Sequence, residues 1–111
     1  MTRINSKKKG SKGELEFANL CKQYGFKTRR SQQYSGIDIN SDADVIGLPD
    51  IYIEVKRLEK INVDLVMDKL RDDNKTDDYG ILAHRKNNKG WLVTMDFDDW
   101  MEIYKRYLIA K

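Results

Sequence analysis

Residues 51–57 read Ile51-Tyr52-Ile53-Glu54-Val55-Lys56-Arg57. Ile51, Ile53 and Val55 fall on one face and Tyr52, Glu54 and Lys56 on the other, the period of two that marks a β-strand. The apolar residues around Glu54 and Lys56 suit a central strand, where a wet charged pair is unusual. Just upstream, Leu48-Pro49-Asp50 forms a tight turn and Asp44-Val45-Ile46-Gly47-Leu48 a second short strand. The two strands are read as a hairpin.

Working outward, Phe17, Leu20, Cys21 and Tyr24 recur at i, i+3, i+4 and i+7, the stripe of an amphipathic helix that Gly25 is placed to end. Phe26 to Ser31 reads as a strand with a cationic edge of Lys27, Arg29 and Arg30, and Gln32 to Ser41 as a loop. Downstream, Val63, Val66, Met67 and Leu70 have helical spacing, with Asn62 or Asp64 as cap. Asp72 to Asp78 reads as a charged linker. Gly80 to Ala83 and Trp91 to Thr94 read as strands joined through Asn87, Asn88 and Gly90. A last helix begins near Asp96, with Phe97, Trp100, Met101, Tyr104 and Leu108 on an apolar face. The order α-β-β-β-α-β-β-α predicts an α/β domain whose mixed central sheet is flanked by helices.

The chain has 111 residues, room for one domain. Its net charge of +3 conceals an asymmetry: residues 1–30 hold nine basic and two acidic side chains, while the remainder is net acidic. Residues 1–12 are read as a basic, flexible arm and residues 13–111 as the folded domain. Lys7, Lys8, Lys9 and Lys12 make that arm either a solvated leader or an attachment to a polyanion such as DNA. A single cysteine, Cys21, excludes an intrachain disulfide and a multi-thiolate zinc site, and it suits a reducing cytoplasm. No run is long enough to cross a membrane as a helix.

Chemistry concentrates on three acids and a lysine. Glu54 and Lys56 project from one face of their strand, and the turn can bring Asp44 beside Glu54. Two converging carboxylates repel unless a cation lies between them, so the pair favours a hard divalent ion with oxygen ligands. A lysine beside that ion adds positive charge without competing as a ligand, a set suited to phosphodiester hydrolysis. An acid followed two residues later by a base occurs by chance about three times in this composition, so Glu54-Val55-Lys56 draws its weight from the central strand and from Asp44. Glu14 shares a helix side with Phe17, Ala18 and Cys21 and is either a fourth site residue or a first-turn acid favoured by the helix dipole.

These residues resemble a known family. Lys12-Gly13-Glu14-Leu15-Glu16-Phe17, with Gly25-Phe26 after it, looks like the opening of the Holliday-junction resolvases of archaea and their phage relatives. Arg30-Ser31 is similar to the step after their first strand. Asp44-Val45-Ile46-Gly47-Leu48-Pro49 with Ile53-Glu54-Val55-Lys56-Arg57 resembles the signature of PD-(D/E)xK nucleases, notably small phage members. The resemblance covers residues 12 to about 94 and implies a restriction-endonuclease-like core with the order α-β-β-β-α-β. It implies a Mg²⁺-dependent endonuclease, with Mn²⁺ able to substitute, acting on branched DNA. Asp44, Glu54 and the Val55 carbonyl would hold the metal, Glu14 would complete the site, directly or through water, and Lys56 would be the catalytic lysine. Arg29, Arg30, Ser31, Arg57 and the Gln32 to Gly36 loop would lie near the DNA. Within an acid-rich loop that also holds Asp38, Asp42 is the alternative to Asp44. Likeness to phage members suggests a bacterial host cytoplasm. The two-fold symmetry of a four-way junction predicts a homodimer joined through apolar residues of the second or last helix. Two other readings are a same-fold nuclease for nicks, flaps or ends, and a non-catalytic DNA-binding module.

Outside that set, His84 is read as a strand-end residue and Cys21 as core packing. Trp91 and Trp100 are read as core or interface residues, and the Asp72, Asp73, Asp77, Asp78 cluster as a solvated connector.

Overall fold

In a computed structural model the strand that carries Glu54 and Lys56, β3 (Ile51–Arg57), runs through the middle of a five-stranded sheet. The structure describes residues 6–31 and 43–111. The chain order is α1 (Ser6–Lys22), β1 (Arg29–Arg30), β2 (Val45–Ile46), β3, α2 (Val63–Asp73), β4 (Tyr79–Arg85), β5 (Leu92–Met95) and α3 (Phe97–Ala110). Across the sheet the strands follow chain order. β1, β2 and β3 pair antiparallel, β3 and β4 pair parallel through the α2 crossover, and β5 closes on β4 antiparallel. The fold is therefore mixed α/β, with three helices and a mixed sheet.

The alternation of β3 sorts its side chains into two cores. Ile53 and Val55 join Phe17, Ala18, Val45, Ile81 and Ala83 beneath α1. Tyr52 joins Ala43, Met67, Leu70 and Leu82 beneath α2. Thr28 seals the first core by donating its hydroxyl to the Ala18 carbonyl at 2.6 Å. The β2–β3 turn needs Gly47: its φ is 115°, and a Cβ there would strike the Lys27 carbonyl oxygen. Asp50, also left-handed at φ 67°, accepts from the Tyr79 amide and so ties the turn to β4.

Several boundaries differ from the expected ones. α1 begins at Ser6, ahead of the boundary expected after residue 12, so Lys7 to Lys12 lie on its first turns. Lysine is a good helix former, and a high charge density does not prevent helix when one side packs on a sheet. At the other end, α1 stops at Lys22, which leaves Tyr24 exposed instead of continuing the buried stripe. β1 is confined to Arg29–Arg30 because β2, its partner, offers only two ladder positions. α2 extends to Asp73 and takes Asn62 as its cap, whose side chain accepts from the Leu65 amide at 3.1 Å. The expected Asp72 to Asp78 linker thus starts as helix and then turns on Asn74, whose side chain bonds the Asp78 carbonyl and the Thr76 amide. Trp91 packs on Phe17, as a core residue does, whereas Trp100 stands half exposed. No helix among the described residues is long and apolar enough to cross a membrane.

Candidate active site

Asp44 is held where β1, β2 and β3 meet. Its amide donates to the Ile53 carbonyl at 2.9 Å, while its carbonyl accepts from the Ser31 amide at 3.0 Å. In a regular strand the N–H and C=O of one residue point the same way. Here they point to opposite neighbours, and this turn of the backbone frees the side chain to act as a ladder element. Its Oδ2 accepts from the Val55 amide at 2.8 Å. The Val55 carbonyl, on the same residue of a regular strand, projects from the same strand edge as that amide.

Glu54 comes next along β3 and is only 3% exposed. Its Oε1 lies 3.9 Å from Lys56 Nζ and 4.0 Å from Lys69 Nζ, both at the outer limit of ion-pair contact. Its Oε2 is buried without a hydrogen-bond partner. Burial and the nearby Asp44 carboxylate raise its pKa to about 7, against the pull of Lys69 and Lys56. Burial also raises Asp44, opposed by the Val55 amide and then by Lys56 and Lys69.

Glu14 reaches the same cluster from α1. Gly13 lets the helix lie close to β3, since a Cβ there would sit 3.1 Å from Arg57 Cβ. Glu14 is raised by burial and by Asp44, and lowered by Arg30 and Lys56. Arg30 Nε stands 3.4 Å from Glu14 Oε2, and Arg30 Nη2 donates to Ser11 at 3.0 Å. The structure therefore brings Glu14, Asp44, Glu54 and Lys56 into one electrostatic cluster, with Arg30 on its rim. Ser31 lies beside it, with a buried hydroxyl that has no hydrogen-bond partner.

Two members of the cluster were not read from the sequence. Lys69 and Asp73, one turn apart on α2, pair at 2.7 Å, and both act on Asp44 and Glu54. Neither stands on the apolar stripe that defined the helix, so only the placement of α2 over β3 reveals them.

Arg57 is not brought to this face. By strand parity it sides with Val55, and its guanidinium lies 3.5 Å from Glu16, which also pairs with Arg85 at 3.1 Å. Glu16 further accepts from the Trp91 indole at 3.0 Å. Arg29 is exposed on the outermost strand. Lys12 is exposed on α1. The side chains of Lys7, Lys8 and Lys9, together with Asp38, Asp42 and the Gln32 to Gly36 loop, lie outside the described residues. His84, opposite Lys56 in the parallel ladder, pairs with Thr94 Oγ1 at 2.9 Å, and burial lowers its pKa.

Among the described residues no three carboxylate, imidazole or thiolate groups form a ready-made ion cage. An unpartnered buried carboxylate oxygen beside a second carboxylate nevertheless suits a cation that brings its own water, as Mg²⁺ does with one or two protein carboxylates. No protein-family model matches the chain, and no functionally characterised protein matches it.

Proposed function

We propose that the chain is a divalent-metal-dependent endonuclease of the PD-(D/E)xK type acting on branched DNA, as the resemblance to Holliday-junction resolvases implies. The observation that carries this reading is the orphaned Glu54 Oε2, buried beside Asp44 and flanked by two ammonium groups. Leaving a charged carboxylate oxygen dry and unpaired is costly, and a bound divalent cation removes that cost. The element order is also that of the superfamily's core.

Asp44 and Glu54 would hold Mg²⁺ or Mn²⁺, with the Val55 carbonyl and Glu14 as supplementary oxygens. When bound, the ion polarises the phosphate and makes a water molecule more acidic. Val55 fixes the Asp44 carboxylate by its amide. Lys56 places a positive donor where negative charge grows on the phosphoryl oxygens, and Lys69 supports it from across the cleft. Glu14, tied to Arg30, sets the charge at the α1 side. Arg30 and Lys12, with Lys7 to Lys9, would attract the DNA backbone, and a two-fold dimer would match a four-way junction.

The test is cleavage of a synthetic four-way junction, a flap, a nicked duplex and an intact duplex, with Mg²⁺ and then with chelator. Chelator-sensitive cutting that favours the junction is the expected result. Preference for the flap or nick selects the repair-nuclease reading, and metal-dependent binding without cutting removes the enzymatic one.

A further inference from the structure

The last helix is packed inside out. No residue of α3 is buried, although half of its positions are apolar or aromatic. Glu102 and Arg106 take the side against the domain, where Arg106 lies 5.9 Å from the Tyr79 ring centroid. Phe97, Trp100, Tyr104 and Tyr107 take the outer side, at 70%, 49%, 42% and 57% exposure. Their spacing of three, four and three residues is that of a coiled-coil seam. The rings form a continuous ribbon, with centroids 6.3, 5.5 and 6.3 Å apart and the middle pair parallel within 2°.

The charges of α3 say what covers the ribbon. Asp98, Asp99 and Glu102 occupy its first half, and Lys105, Arg106 and Lys111 its second half and C-cap. A second α3 laid antiparallel sets the acidic half of each helix against the basic half of the other and opposes the two helix dipoles. A parallel copy sets like against like. The exposed part of the four rings amounts to roughly 400 Å² per copy, about half of what each partner contributes to a standard interface. Leu108 on the helix and Leu92 and Val93 on β5 add to it.

We infer that α3 is the dimerisation element: two copies of the chain pair antiparallel through the Phe97-Trp100-Tyr104-Tyr107 ribbon about a two-fold axis near Glu102. This surface deepens the two-fold dimer of the proposed function, yet stands on its own observations. A dimer that cuts no DNA leaves the pairing intact and removes the nuclease reading, and a monomer that cuts does the reverse.

The experiment is sedimentation velocity of the full chain at micromolar concentration, beside the Trp100→Lys/Tyr104→Lys variant. Both substitutions are at half-exposed sites, and circular dichroism checks that the variant is folded. A wild-type dimer and a folded monomeric variant are expected. For orientation, a spin label goes on Ile109→Cys, with Cys21→Ser removing the native thiol. The antiparallel pair puts the two labels more than roughly 20 Å apart, a parallel pair within roughly 15 Å. A monomeric wild type, a dimer that survives the double substitution, or close labels overturn the inference. So does a double variant of unchanged size that loses junction binding, which would make the ribbon a base-stacking surface.

Discussion

The amide of Val55 donates to the carboxylate of Asp44 at 2.8 Å, so a side chain continues the β2–β3 ladder where the main chain has turned away. Asp44 thus has both a structural and an electrostatic part, and two substitutions separate them. Asp44→Asn keeps an acceptor oxygen for Val55 and removes the charge. Its melting temperature is expected to match or exceed that of the wild type, with DNA cleavage lowered at least ~100-fold. Asp44→Ala leaves the Val55 amide unsatisfied and costs about 1–3 kcal/mol in denaturant unfolding as well. Equal stability of the two variants would show that the hydrogen bond carries no weight.

Glu54 makes stability fall with rising pH. Its pKa lies at about 7 in the folded chain against an ordinary 4.5, because burial and Asp44 disfavour the ionised form. The folded state therefore holds this proton more tightly than the unfolded chain. The resulting stabilisation is complete below pH 4.5 and lost as pH rises through about 7. It amounts to at most about 3 kcal/mol. Chelated protein should melt higher at pH 5.5 than at pH 8, and Glu54→Gln should flatten that difference. Mg²⁺ or Mn²⁺ should raise the melting temperature more at pH 8 than at pH 6, since ion and proton compete for the same oxygens.

Lys69 faces Glu54 at nearly the same distance as Lys56, but from a helix and with a hydrogen bond to Asp73. Removing its charge leaves Glu54 with one cation and should move the pH midpoint of cleavage upward. Lys69→Met is expected to cut less efficiently by about 10-fold, with Lys69→Arg restoring most of the loss, while Lys56→Ala loses at least ~100-fold. An unaltered pH profile in Lys69→Met would place Lys69 outside the site.

The cationic residues should separate by salt dependence. Replacing Lys7, Lys8, Lys9 and Lys12 by Gln should weaken DNA binding and flatten its log–log salt slope by ~0.9 for each phosphate that is no longer neutralised. Arg57→Gln should leave the slope unchanged, because Arg57 is engaged by Glu16. Filter binding across a salt series distinguishes the two.

Much of the layout was legible because β3 obeys a period of two. That parity alone separates Lys56, beside Glu54, from Arg57, beside Val55, although the family resemblance drew Arg57 toward DNA. The hairpin turn put Asp44 next to Glu54 for the same reason. Lys69 and Asp73 were not legible, since the helical period shows which side of α2 is apolar but not which strand residue its polar edge reaches across a parallel crossover. The aromatic stripe of α3 was visible in the spacing. That it faces outward was not, because periodicity does not say whether an apolar face meets its own sheet or a second chain. β1 shrank because a strand's length depends on its partner's as much as on its own residues.

The central claim is that Glu54 and Asp44 hold a catalytic divalent ion beside Lys56. Its most direct test is the rate of four-way junction cleavage by Glu54→Gln under saturating Mg²⁺, with junction binding measured on the same preparation. A rate at least ~100-fold below wild type with binding retained is the expected result. Cleavage at the wild-type rate would contradict the claim.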